Sequence, residues 1–505
     1  MRLGQCGLTT LISRVEVVGG SDLAAEDLVW GADAASVHGL LSGTSVYAVP
    51  VPAAAPANHA AGVERLLASY RSIPATASVR LAKPTSNLFR ARAKPDAPGL
   101  DTSGLTNVIS VDPEGRTADV AGMCTYENLV AATLRYGLSP LVVPQLKTIT
   151  LGGAVTGLGI ESASFRNGLP HESVLEMDIL TGAGELITVS PDQHTDLYRA
   201  FPNSYGTLGY STRLRIALEP VTPFVALRHI RFHSLTAMVA AMDRIIDTGG
   251  HDGVRVDYLD GVVFSEEESY LCVGVRTTTP GPVSDYTGQD IYYRSIQHHN
   301  DVKEDRLTIH DYFWRWDTDW FWCSRSFGAQ NPRLRRWWPR RYRRSSFYWK
   351  LVRYDQRFNI ADGLEKRKDR PPRKPVVQDI EVPIERTPDF LEWFLDTVRI
   401  TPIWLCPLLL RDQEGWPLYP IWPGRTYVNV GFWSRLPLGA AEGTNRSIEA
   451  KVRALDGHKS LYSDSCYSRE EFDELYGGEA YRTVKKTYDP DSRFLDLYAK
   501  AVQRR

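Results

Sequence analysis

The chain has 505 residues, 43% hydrophobic and 24% charged, with a formal net charge of −1. That is ordinary globular composition, with material for about two to four domains and a large buried core. A net charge so near zero excludes a global field that would draw nucleic acid, so any such preference has to come from a local patch.

Residues 1–57 are rich in Ala, Gly, Val and Ser and lack a sustained period, and they read as a poorly ordered extension. One account of them is a translation start assigned too early. No basic start followed by an apolar stretch marks a signal peptide. The most apolar run, 39–57, is broken by Pro50, Pro52 and Pro56, so no membrane span is expected. The six cysteines form no CxxC pair and the eleven histidines no HExxH or HxH arrangement. We therefore expect no metal, reduced thiols and a cytoplasmic chain.

Order is expected from about residue 58. HAAGVERLLASYRSI places Val63, Leu66, Leu67 and Tyr70 on one helical face. ASVRLAKPTSNLF reads as a short strand and turn. NVISVDPEG and TADVAG read as strands, TYENLVAATLRYG as a helix ended by Gly137, and VLEMDILTGAGELITVS as a hairpin. HTDLYRAF reads as a short helix and YGTLGYSTRLRIALEP as a turn into a strand. From about 223 aromatic residues crowd in, and runs such as YLCVGVRT and RTYVNVGFW alternate with helices such as TPDFLEWFLDTV. This is a second α+β region.

Between these stretches lies TLGGAVTGLGIES at 150–162, read as a strand–loop, with glycines at 152, 153, 157 and 159. Glycine lets backbone approach a ligand closely, and successive amides can cradle a diphosphate. Alone the segment says little. Its spacing fits neither a dinucleotide-binding GxGxxG nor a Walker A loop.

The ordered series around it says more. DPEGRTADVAG, ENLVAATLRYG, LSPLVVPQ, TLGGAVTGLG, SASFRNGL, MDILTGAGEL and GTLGYSTRLRIAL, in that order, resemble the FAD-binding domain of the vanillyl-alcohol oxidase/p-cresol methylhydroxylase (PCMH-type) superfamily. GLGIESASFRNGL, TPIWLCPLLL at 401–410 and LYSDSCYSREEFDELYGGEAY at 461–481 resemble the delta-24-sterol reductase family, from roughly residue 75 onward. A bacterial branch of that family, reducing methylene groups on fatty acyl chains, is matched at least as well.

The resemblance implies an α+β fold: a two-subdomain PCMH-type FAD-binding domain over 58–222, an α+β substrate or cap domain over 223–480 with a basic aromatic insertion near 331–375, and a segment at 481–505 that returns to the flavin domain through VKKTYDPDSRF. It implies FAD lined by Thr150, Gly152, Gly153, Gly157, Gly159, Ile160, Glu161, Ser162 and Ser164, with Gly206 and Gly209 nearby. A loop from Arg80 to Arg90, with Ser86 and Asn87, would flank the pyrophosphate. That loop has neither the glycines nor the histidine found there in many superfamily members, so the FAD is expected to be non-covalent. No second dinucleotide motif is present, so NADPH, the electron donor the family implies, would dock transiently over the flavin.

An isolated alkene is not polarised toward hydride. Protonation to a tertiary carbocation followed by hydride delivery needs a placed acid and a pocket tolerant of positive charge. HDYFWRWDTDWFWCSRSF at 310–327 offers the aromatic faces. Tyr312 or Tyr467 is the expected proton donor, with Asp311 or Asp464 orienting it. NPRLRRWWPRRYRRSSFYWKLVRY at 331–354 is basic and aromatic. It reads either as a solvated loop or as a patch, Arg333 to Arg344, meeting an anionic membrane from the cytoplasmic side, with no nucleic-acid role expected. EKRKDRPPRKP at 365–375 reads as an exposed loop. The leading expectation is FAD-dependent reduction of an isolated lipid C=C bond, on a fatty acyl methylene or a sterol side chain. A flavin oxidase or dehydrogenase of an alcohol or sugar, and a non-enzymatic lipid-binding protein, remain the alternatives.

Overall fold

The computed structural model of the protein describes residues 51–83, 89, 98–358 and 373–503. Ser86, Asn87, residues 1–50 and residues 365–372 of the expected charged loop lie outside the described residues. Helix α1 (Ala55–Ser72) begins four residues before the expected start at His59. Pro56 sits in its first turn, where a missing N–H leaves no hydrogen bond unmade. Val63, Leu66, Leu67 and Tyr70 pack as one face against Leu100, Leu105, Leu180 and Phe494.

The first layer is a six-stranded sheet: β1 (Val108–Asp112), β2 (Thr117–Ala121), β3 (Leu138–Pro140), β4 (Val174–Leu180), β5 (Leu186–Val189) and β6 (Tyr210–Pro220). The order is β1-β2-β6-β4-β5, with β3 on the far end of β6, and every pairing is antiparallel. The expected β4–β5 hairpin is present. Arg213 on β6 straps the layer, donating to Asp119 on β2 and Asp178 on β4 at 2.7 Å each. Helix α2 (Tyr126–Leu134) covers it, its Asn128 amide capped by the Thr125 hydroxyl.

The glycine-rich segment differs from its expected strand–loop form. Residues Leu151–Thr156 are a helix, α3, and only 157–163 form a loop. The Thr150 hydroxyl accepts the Gly153 amide at 3.2 Å, which starts the helix. Leu151, Ala154 and Val155, at helical spacing, are all buried in the core, and that burial outweighs the low helix propensity of two glycines.

The second layer is an eight-stranded antiparallel sheet. Its strands are β7 (Phe224–Phe232), β8 (Tyr258–Ser265), β9 (Glu268–Thr277), β10 (Val302–Thr308), β11 (Arg373–Pro383), β12 (Ile403–Leu408), β13 (Tyr427–Pro437) and β14 (His458–Lys459). The order is β10-β7-β9-β8-β12-β13-β11-β14. Arg373 to Pro375, expected in the charged loop, begin β11. Period-two alternation divides the sheet into two faces. Leu259, Leu271, Ile380, Leu405, Val430 and Phe432 face a helix layer made of α4 (Leu235–Thr248), α6 (Thr387–Thr397) and α7 (Leu438–Ala454). Between α4 and α6 in sequence lies a short helix, α5 (Ile309–Trp314), in the aromatic run. The other face of the sheet carries Tyr258, Asp260, Asp379, Glu381, Trp404, Asn429, Gly431 and Trp433. Four polar residues on a face without bulk solvent call for partners.

Helix α8 (Gly478–Tyr488) and the turn after it pack against the first layer. Asp489 accepts the Arg493 and Phe494 amides at 2.7 and 2.9 Å. Phe494 meets Tyr210 edge-on, and Arg493 reaches the Ile73 carbonyl and the Tyr70 hydroxyl.

The basic run is not a uniform cationic surface. Arg335 is buried and donates to both oxygens of Asp319 at 2.7 and 3.0 Å. Arg343 is buried and donates to the carbonyls of Gly288, Arg335 and Trp338. Arg340 pairs with Asp285 and Arg344 with Glu127. Arg333, Arg336 and Arg341 are left exposed without a carboxylate partner among the described residues, and Trp337 in the same run is 83% exposed.

Candidate active site

A cavity of about 800 Å³ runs between the glycine-rich segment and the inner face of the second sheet. This is at the large end of ligand pockets. Thr150, Gly152, Gly153, Gly157, Gly159 and Ile160 form one wall, with Arg80, Lys83 and Lys500 beside them. Phe89, Trp320, Phe321, Trp404, Trp433 and Tyr462 line it as well. The lining therefore offers glycine backbone and three cations, which suit a diphosphate, and flat aromatic faces, which suit a ring system and an apolar chain.

The glycines are where the backbone has to come close. A Cβ on Gly152 would stand 2.6 Å from the Gly122 carbonyl oxygen and 2.6 Å from the Ser211 hydroxyl. One lining group waits for a ligand: Gln145 Nε2 is buried with no hydrogen-bond partner. Such orphans are rare and costly unless a bound group satisfies them. Cavity size, the glycine-rich and cationic lining and this orphan fit FAD. The lining contains one cysteine, Cys323, whose burial pushes its thiol up to about 12, and no histidine among the described residues.

Of the residues expected on the cofactor, Arg80, Thr150, Gly152, Gly153, Gly157, Gly159, Ile160 and Gly206 line this cavity. Glu161, Ser162 and Ser164 do not; they sit behind it in the core. Gly209 packs on Ile179 and Leu180. Glu161 belongs to a fully buried ionic cluster. Arg315 donates to Glu161 at 3.2 Å and to Asp260 at 3.0 Å. The Trp404 indole N–H donates to the same Asp260 oxygen at 3.1 Å. Ser162 donates to Glu161 at 2.6 Å and shares a 2.7 Å bond with the Tyr312 hydroxyl. The guanidinium lies 3.9 Å from the centre of the Tyr312 ring. Burial raises the Glu161 carboxyl, and Arg315 pulls it back. Glycine-rich segment and second sheet are thus pinned together by one cation and two carboxylates.

The four expected proton donors and orienters are all off the cavity lining. Tyr312 is held in that ionic cluster, and burial pushes its phenol far up. Asp311 accepts from Thr308, Thr287 and His310; burial pushes its carboxyl up, but these bonds hold it below its ordinary value. Tyr467 is buried against Tyr476, and Asp464 pairs with Lys374 at 3.7 Å. Within the aromatic run only Trp320, Phe321 and Cys323 reach the cavity.

The acidic group that does line it is Asp379 on β11. Burial pushes its carboxyl up to about 7, and Tyr462 and Asn429 pull the other way. Glu381, two residues along the same face, accepts from the Ser460 hydroxyl at 2.7 Å and is pushed up by burial to about 8. His458 Nε2 stands 3.3 Å from Glu381, but burial pushes that imidazole down to about 3, so the two meet as neutral groups. In sequence, Asp379 and Glu381 alternate with Ile380 and Val382, the pattern of a solvent-facing strand edge. Tyr462 and Trp404 lie inside the family-like segments without a mark of their own.

The FAD binding domain family matches residues 78–190. The chain is 26% identical to the delta(24)-sterol reductase of Homo sapiens over 411 residues, 78% of this chain and 76% of that one. It is 24% identical to the delta(24)-sterol reductase of Arabidopsis thaliana over 453 residues, covering 80% and 77%. It is also 34% identical to cytokinin dehydrogenase 2 of Oryza sativa subsp. japonica over 162 residues, 31% of this chain and 28% of that one.

Proposed function

Since the chain is a delta-24-sterol reductase-like flavoprotein with a PCMH-type FAD-binding domain, an FAD-dependent oxidoreductase acting on CH–CH groups, we propose that it reduces an isolated C=C bond of a lipid with electrons from NADPH. The observation that carries this reading is the cavity itself, lined by glycines, three cations and aromatic rings. Bound FAD supplies a hydride donor there. Arg80, Lys83 and Lys500 offset the diphosphate charge, and the glycines let backbone amides approach it. Trp404, Trp433 and Phe321 exclude water and present ring faces to developing positive charge on an alkene carbon. A sterol side chain and a methylene-bearing acyl chain both fit this chemistry.

The purified protein should be yellow, and anaerobic NADPH should bleach it. An alkene lipid added afterwards should restore the colour, and comparing a sterol with a methylene acyl lipid names the substrate. Bleaching by an alcohol followed by oxygen uptake, with no response to NADPH, would sink the reductase reading. FAD attachment is proposed to be non-covalent. Acid precipitation should leave all the flavin in the supernatant, and yellow pellets would disprove it.

No helix among the described residues is long and apolar enough to cross a membrane. We propose a cytoplasmic, peripheral protein whose docking patch is Arg333, Arg336 and Arg341 around exposed Leu334 and Trp337. Each arginine is worth roughly 1 kcal/mol at an anionic surface. An R333E/R336E variant should bind phosphatidylserine vesicles at least about tenfold more weakly at low salt. Equal binding of wild type to neutral and anionic vesicles would refute the patch.

A further inference from the structure

Resting on the reductase reading, we propose that Asp379 is the acid that protonates the substrate alkene, with Tyr462 as the neighbouring hydroxyl that holds its carboxyl toward the cavity. Both side chains line the cavity. The Asp379 carboxyl lies over Gly431, its cross-strand partner. A Cβ there would stand 2.5 Å from Asp379 Oδ1, 3.1 Å from the Trp433 ring and 3.3 Å from the Trp404 ring. The missing side chain therefore makes the space for the carboxyl, and the carboxyl sits beside two indoles that also line the cavity. The Asp379 carboxyl interacts with the Tyr462 hydroxyl and with Asn429, both uncharged, and with no basic side chain that would tie it up as a carboxylate. The titratable groups facing Asp379 are Glu381 on its own strand, Cys406 on β12, Tyr419 and Tyr462; none is a cation. With no positive partner, burial keeps the proton on Asp379 near neutral pH.

The step balances. The O–H bond of Asp379 breaks and its proton forms a C–H bond with the less substituted alkene carbon. The tertiary carbon then takes a hydride from the reduced flavin. The alkene gains two electrons and two hydrogens, FAD is regenerated, and the carboxylate regains a proton from solvent.

Three measurements test it on the FAD-loaded full chain. Asp379→Asn should keep the flavin spectrum and be bleached by NADPH at the wild-type rate, yet reoxidation by the alkene lipid should slow at least about 100-fold. Wild-type reoxidation should fall about tenfold per pH unit above pH 7, an arm that stands even if the variant fails to fold. Infrared spectra should show a protonated-carboxyl band that titrates near pH 7 in wild type and is absent from Asp379→Asn. Wild-type reoxidation with equal reoxidation of the variant overturns the acid alone, as does a flat pH profile. A wild-type reduced flavin that no alkene lipid reoxidises overturns the reductase reading and the acid with it.

Discussion

Arg315→Met is expected to lower the unfolding free energy by about 3–5 kcal/mol, read from urea denaturation. The guanidinium is fully buried and is the one cation bonded to both Glu161 and Asp260. Methionine fills similar space, so the loss would come from two carboxylates stranded away from water rather than from a void. The effect should depend on pH in a set direction. Burial already raises Glu161, and removing its cation raises it further. A carboxyl raised in the folded state contributes most below its unfolded value and loses that contribution as pH climbs through the folded value. The variant should therefore be least impaired in mild acid and progressively worse toward alkaline pH. Adding Glu161→Gln should recover part of the loss, since the two residues act as one unit. Equal destabilisation at all pH values would dismiss this account of the cluster.

Gly152→Ala should have the largest effect on the cofactor. Its methyl would meet a backbone carbonyl at 2.6 Å, and backbone cannot swing aside as a long side chain does. Helix α3 would have to move away from β2, taking the wall of the cavity with it. Overpacking of this kind costs about 1–3 kcal/mol. If the displacement falls mainly on the bound state, FAD affinity drops about tenfold to hundredfold, and the purified variant is pale until FAD is added in excess. Gly443→Ala, on the open side of α7 with nothing within 4 Å, is the matched control and should stay yellow. A Gly152→Ala protein as yellow as the control would show that the helix is not held where the cavity needs it.

What the sequence made legible was local. The β4–β5 hairpin, α2 and the core face of α1 each rest on turns, caps and periodicity within about twenty residues. The glycines expected on the cofactor line the cavity, but the helix that carries two of them has no signal in the sequence. Leu151, Ala154 and Val155 are too few to announce a period, and the decisive partner, Gly122, is distant in sequence. Arginine meanings were equally hidden. Nothing in NPRLRRWWPRRYRR separates Arg335 and Arg343, which are buried against Asp319 and backbone carbonyls, from the exposed Arg333 and Arg336. The acid was the hardest to see. Alternating Asp379 and Glu381 look like residues facing water, because a strand's period records only that one face differs from the other. Tyr312 and Tyr467 drew attention through their polar neighbours, and those neighbours turned out to anchor the core.

The cavity is lined by Val79 and Arg80 and, far along the sequence, by Leu495 and Lys500. Lys500, in the short helix Leu497–Ala501, also donates to the Tyr205 carbonyl and ties that helix to the turn before β6. The pocket is therefore closed by stretches roughly four hundred positions apart, and a ligand bound in it would staple the two together. Loss of the ligand should accordingly loosen both stretches at once, and added FAD should protect both from proteolysis.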